Sequence, residues 1–106
     1  MAKPVPTLVQ YFPKPGSEAA FLKLLTRHWD ALDGVGLVTK TKPVYWRASE
    51  HRTGRKGFFE LFEWKDENAS GTAHQMPEVM AIWEPMEPLL DSMTITQVEE
   101  VSPPFV

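Results

Sequence analysis

Apolar positions change period several times along the chain, and each change marks an element. Leu8, Val9, Tyr11 and Phe12 make Thr7 to Phe12 a first strand, ended by Pro13-Lys14-Pro15-Gly16. Phe21, Leu24, Leu25, His28 and Leu32 then fall at i, i+3, i+4, i+7 and i+11, one face of an α-helix. Ser17 is placed to cap it, Glu18 suits its first turn, and Gly34 or Gly36 supplies the stop. Leu37 to Ser49 reads as a second strand broken near Lys42-Pro43. A polar turn from Glu50 to Gly57 leads into a third strand, Phe58 to Trp64. Asp66-Glu67-Asn68 starts a short helix towards His74. Pro77 opens another, to about Glu84, with Val79, Met80 and Trp83 as its apolar stripe. Pro85 and Pro88 are expected to kink or stop it. Met93 to Val101 is the last strand, and a slip of parity at Gln97-Val98 suggests a bulge. The order β-α-β-β-α-β predicts an α+β, ferredoxin-like sandwich: one domain over residues 1–106, with helices on one face of a four-stranded antiparallel sheet.

The third strand breaks the expected alternation. Phe58, Glu60, Phe62 and Trp64 share one face, while Phe59 and Leu61 join Glu63 on the other. The second strand repeats this, with Val44 and Trp46 opposed to Tyr45. Helices cover only one face of such a sheet, so the other needs a cover of its own. The simplest is a second copy of the chain, and a homodimer is expected. Folding of the short proline-rich ends across that face is the alternative.

Composition narrows the chemistry. Eleven Lys and Arg against fourteen Asp and Glu give a net charge of −3, so a basic footprint for nucleic acid or an anionic membrane is missing. The third strand also has acids where RNA-binding sheets carry Lys or Arg. With no cysteine, disulfides, thiolate metal sites and cysteine nucleophiles are excluded. No apolar run approaches the roughly 18 residues of a membrane span, and the start Met1-Ala2-Lys3-Pro4 has no signal-like apolar region. A soluble cytoplasmic protein is the expectation.

The stretch Phe59-Glu60-Leu61-Phe62-Glu63-Trp64-Lys65-Asp66-Glu67-Asn68-Ala69, followed by Ala73-His74, resembles the antibiotic biosynthesis monooxygenase family. That family has small β-α-β-β-α-β chains and belongs to the dimeric α+β barrel superfamily. The resemblance implies a cofactor-independent monooxygenase-like protein acting on a small aromatic or polyketide-like compound, with no metal or flavin. It makes His74 the leading catalytic residue, at the mouth of a cavity between sheet and helices. A neutral imidazole there takes a proton from an acidic phenol or enol. Otherwise His74 bonds backbone where the chain turns towards Pro77, and the protein is a non-catalytic dimeric module for a small apolar ligand. Haem-degrading relatives share the Ala-His histidine. They also carry an asparagine in the first strand, where this chain has Gln10 and Tyr11, and a tryptophan missing here between Asp66 and His74. That activity is disfavoured.

Six aromatic residues are candidates for a ligand pocket or for core and interface: Tyr11, Tyr45, Trp46, Phe62, Trp64 and Trp83. Trp64 and Tyr11 are the preferred pocket walls, joined by Phe62 and Trp83. Trp29 is expected at the core edge. Glu60, on an aromatic face, is either a general acid or base or the partner of Arg47 or Lys40 on the neighbouring strand. Arg47 is alternatively a holder for an anionic group of the substrate. His28 reads as a satisfied core or interface histidine, and His51 as a solvated loop residue. No two histidines have helical ligand spacing, so a metal centre has no support.

Overall fold

A computed structural model describes residues 2–105. The order is β1 (Val5–Pro13), α1 (Glu18–Gly34), β2 (Val44–Ser49), β3 (Lys56–Trp64), α2 (Ala69–Ala73), α3 (Pro77–Met86), a short 3-10 turn (Glu87–Leu89) and β4 (Leu90–Gln97). The four strands form one antiparallel sheet in the order β2-β3-β1-β4. This is the ferredoxin-like sandwich that the order of elements predicts.

The helix stripe works as its spacing implies: Phe21, Leu25, His28, Trp29 and Leu32 are buried, and Leu24 sits at the margin. Ser17 does occupy the N-cap position, but its side chain makes no capping bond there. The helix stops at Gly36, whose φ of 72° suits glycine. There the Leu37 N–H donates to the Leu32 carbonyl and the Gly36 N–H to that of Asp33, both at 3.0 Å.

Three expectations about the later elements change. The break before Pro43 is complete: only Val38 pairs, opposite Trp64, and the strand proper begins at Val44. The prolines act nearly where expected: α3 runs only one residue past Pro85, to Met86, and gives way to the 3-10 turn that holds Pro88. The buried side of α3 is Val79, Ile82 and Met86, while Met80 and Trp83 are only half-buried. β4 runs earlier than expected, and its irregularity lies between Phe12 and Pro13 of its partner, not at Gln97-Val98.

Residues directly opposite one another in the ladders point to the same face. One face therefore carries Glu60, Tyr45 and Val9 in one row, with Phe62 and Thr7 in the next. The helices cover its central strands, where the core lies, and leave Tyr45 on the edge strand 43% exposed. The other carries Trp46, Phe59 and Gln10, then Val44, Leu61 and Leu8. On that face Val44 is 44% and Trp46 46% exposed. Residues 99–105 are exposed and add nothing to the core. At Gly57 the central strands come close. A Cβ there would lie 2.5 Å from the Tyr11 carbonyl oxygen, so this end of the β1–β3 ladder requires glycine.

Candidate functional site

The candidate site begins with a misfit. Glu60 sits at the middle of the strand face that meets the helices, and its exposure is 0%. A buried carboxylate needs hydrogen-bond donors to offset lost hydration. It receives them from two other elements. The Tyr11 hydroxyl bonds Oε1 at 2.6 Å, and His28 Nδ1 lies 2.9 Å from Oε2 and 3.1 Å from Oε1. His28 Nε2 then accepts the Trp83 indole N–H at 2.8 Å. An indole only donates, so Nε2 carries no proton and Nδ1–H points at the carboxylate. One hydrogen-bonded chain thus runs from α3 through α1 to β3 and β1.

A cavity of about 600 Å³ borders this chain. Its walls come from β1 (Thr7, Val9, Tyr11), β3 (Phe62, Trp64), α3 (Met80, Trp83) and β4 (Met93, Ile95), with His28 inside. Met93 and Ile95 face the helix side yet stay 49% and 61% exposed, because β4 is the sheet edge where the cavity opens. His74 also lines it, from the turn just after α2. Ala73, fully buried, anchors that turn, while the His74 side chain is exposed. Its ring meets the Trp83 ring edge-on at 4.8 Å between centroids. Among the described residues it has no side-chain hydrogen-bond partner.

The catalytic candidate His74 and the four pocket-wall candidates Trp64, Tyr11, Phe62 and Trp83 therefore meet at one cavity. Glu60 is the correction. It lies behind the wall and bonds neither Arg47 nor Lys40. The register puts Tyr45 opposite Glu60 and Arg47 opposite Phe58, so Arg47 turns to Glu18, and Lys40 bonds Asp33 at 3.1 Å. His28 is a satisfied buried histidine, as its place on the stripe suggests, but it also borders the cavity. Trp46 faces the opposite side of the sheet, and so does Gln10. Trp29 is buried, with Lys42 Nζ 4.7 Å from its ring centroid. His51 is exposed in the hairpin loop. Among the described residues no three His, Asp or Glu side chains converge as metal ligands, and no helix is long and apolar enough to cross a membrane.

The network has a consequence for alkaline pH. Burial, and then the charge of Glu60, push the Tyr11 hydroxyl well above the ordinary tyrosine value. Tyr45 moves the same way for the same reasons, in the same order. These are the two tyrosines of the chain. In the unfolded chain both ionise near pH 10. A raised folded value means the stabilising contribution is whole below about pH 10 and is lost as pH climbs towards the folded value. The tyrosinate absorbance of Tyr11, buried and bonded to Glu60, is expected to appear only as the native protein unfolds, and near pH 10 in denaturant. A native chain whose whole tyrosine signal titrates near pH 10 contradicts this.

No protein-family model matches the chain, and neither does any curated protein. Solved structures do. Rv0793 from Mycobacterium tuberculosis superposes with a TM-score of 0.68, covering 96% of this chain and 99% of that one at 14% identity. SnoaB, a cofactor-independent oxygenase from Streptomyces nogalater, gives 0.67 over 96% and 99% at 14% identity. A structure named antibiotic biosynthesis monooxygenase gives 0.67 over 92% and 99% at 15% identity. The chain thus has the fold of the antibiotic biosynthesis monooxygenases, as the stretch from Phe59 to His74 implies. At these identities the fold is what is shared.

Proposed function

We propose that this protein is a cofactor-independent monooxygenase for a small aromatic or polyketide-like hydroxyl compound, with His74 as a general base. The observation that carries this is the apolar cavity itself, walled by Phe62, Trp64 and Trp83 and flanked by His74. Its volume of about 600 Å³ suits a compound of two or three fused rings. SnoaB, of the same fold, is described as a cofactor-independent oxygenase. In such a reaction the substrate supplies all the electrons. A hydroxyarene and dioxygen give a quinone and water: one oxygen atom joins a ring carbon, the other leaves as water. Two protons must leave the substrate, one from its hydroxyl and one from that carbon. His74, exposed and beside the cavity, is placed to pass a proton to solvent.

Oxygen uptake by the purified protein with hydroxynaphthalenes tests this reading. Consumption matched by quinone absorbance is expected, and His74→Ala should lower kcat by about 100-fold or more. Binding without uptake overturns the enzyme and leaves a module for a small apolar ligand. The exposed, unbonded His74 ring is the feature that favours that second reading.

We also propose that two copies pair through the open face of the sheet, in a soluble cytoplasmic homodimer. Trp46, Val44, Phe59, Leu61 and Leu8 make that face apolar over three adjacent strands, and the described C-terminal residues leave Trp46 and Val44 uncovered. A two-fold axis lets the same patch cover itself.

A further inference from the structure

The buried chain beneath the cavity is poorly explained by stability alone. Apolar residues of similar volume often stabilise a core as well as or better than a buried polar network. The geometry points to a second proton acceptor: we propose that His28, backed by Glu60, takes the proton of the ligand's acidic hydroxyl, and that the Trp83 indole caps the acceptor nitrogen until that hydroxyl replaces it. This rests on reading the cavity as a site for an aromatic hydroxyl compound, and it leaves His74 the proton of the ring carbon.

Three observations carry it. His28 borders the cavity, while Glu60 lies behind it. Nδ1–H is fixed on the carboxylate at 2.9 Å, which leaves Nε2 as the proton-accepting atom. That atom's partner is a neutral donor, Trp83, which is only half-buried on α3. A hydroxyl exchanging with the indole gives Nε2 an O–H donor in place of an N–H donor. The ligand's O–H bond then breaks and an N–H bond forms at Nε2. The electron pair stays on the ligand oxygen, and nothing is oxidised or reduced. The imidazolium so formed faces the Glu60 carboxylate, which offsets its charge where water does not reach. Tyr11, bonded to the same carboxylate, helps hold it in place. An arene of the same shape without a hydroxyl cannot make the exchange. Selectivity for acidic hydroxyl compounds follows.

Para-nitrophenol tests this, because its neutral and ionised forms absorb at different wavelengths. It is added at a pH well below its own pKa, with para-nitroanisole as the probe without a hydroxyl. Bound nitrophenol is expected to show the ionised band, and nitroanisole to bind at least tenfold more weakly. Glu60→Gln should abolish the band while nitroanisole binding persists. Trp83→Phe removes the cap, keeps an aromatic wall and leaves the buried pair intact, so it serves even if Glu60→Gln does not fold. It should tighten nitrophenol about threefold to tenfold, the worth of one hydrogen bond. Nitrophenol bound without an ionised band, or a Trp83→Phe protein that binds it no better, overturns the inference alone. If neither probe binds, the reading of the cavity falls with it.

Discussion

Replacing Glu60 by alanine is expected to cost about 3–5 kcal/mol, a large part of the roughly 5–15 kcal/mol that holds a domain of this size. The change leaves two buried donors, His28 Nδ1–H and the Tyr11 hydroxyl, without their acceptor. Each such orphan costs about 1–3 kcal/mol. The missing side chain also leaves a void where the strand meets α1. Glu60→Gln keeps the volume but offers one acceptor oxygen to two donors, so a loss of about 1–3 kcal/mol is expected. Glu63→Ala is the matched control. It lies on the same strand but the opposite face, half-buried, with Thr39 donating to it at 2.7 Å. It should cost about 1 kcal/mol or less. Urea unfolding of the three variants measures the order. If Glu60→Ala costs no more than Glu63→Ala, the buried chain is not a structural keystone and Glu60 has other support.

The contrast between those two glutamates shows what sequence could and could not tell. Strand parity puts Glu60 among Phe58, Phe62 and Trp64, and helical period puts His28 among leucines. Those two placements are local facts, and the fold keeps both. The partnership is not local, since it depends on which turn of α1 lies over which row of β3. A cross-strand partner for Glu60 is a reasonable expectation, but the register of the hairpin places Tyr45 there instead of Arg47. One signal pointed further. A polar residue at the centre of an apolar helix stripe and another at the centre of an apolar strand face are two misfits in one core. Each lacks a local partner, so each is the other's natural one. Trp83 was equally hidden. Assigning it to the apolar stripe of α3 suits its ring, but its N–H needs a buried acceptor, and His28 Nε2 provides one. His74 was legible only through resemblance, because no spacing rule marks a single histidine after an alanine. Pro85 and Pro88 were legible for the opposite reason: a strong local rule, the missing N–H, needs no tertiary knowledge, and α3 ends at Met86 between them.

The open face of the sheet supplies the other large effect, expected in Leu61→Glu. Leu61 lies on β3, a central strand, between Val44 of β2 and Leu8 of β1. It points away from the helices and is half-buried in a single copy. Its replacement therefore changes the lone chain little, because a glutamate there still reaches water. In the proposed two-fold pair the same position lies inside the interface, and it occurs twice. Each unpaired carboxylate closed into an apolar interface costs several kcal/mol. Two of them at about 2–3 kcal/mol each weaken association by roughly a thousandfold or more. Sedimentation equilibrium should give the wild-type chain twice its mass of 12.1 kDa, and the variant close to that single mass. Circular dichroism should show the variant still folded, since the core lies on the other face. A wild-type monomer refutes the pairing outright. A variant that remains a dimer places the contact elsewhere. The cavity belongs to the helix side, so a folded Leu61→Glu monomer should still bind its aromatic ligand. Loss of ligand along with the dimer would show that the partner completes the site, and that the two faces of this sheet do not act independently.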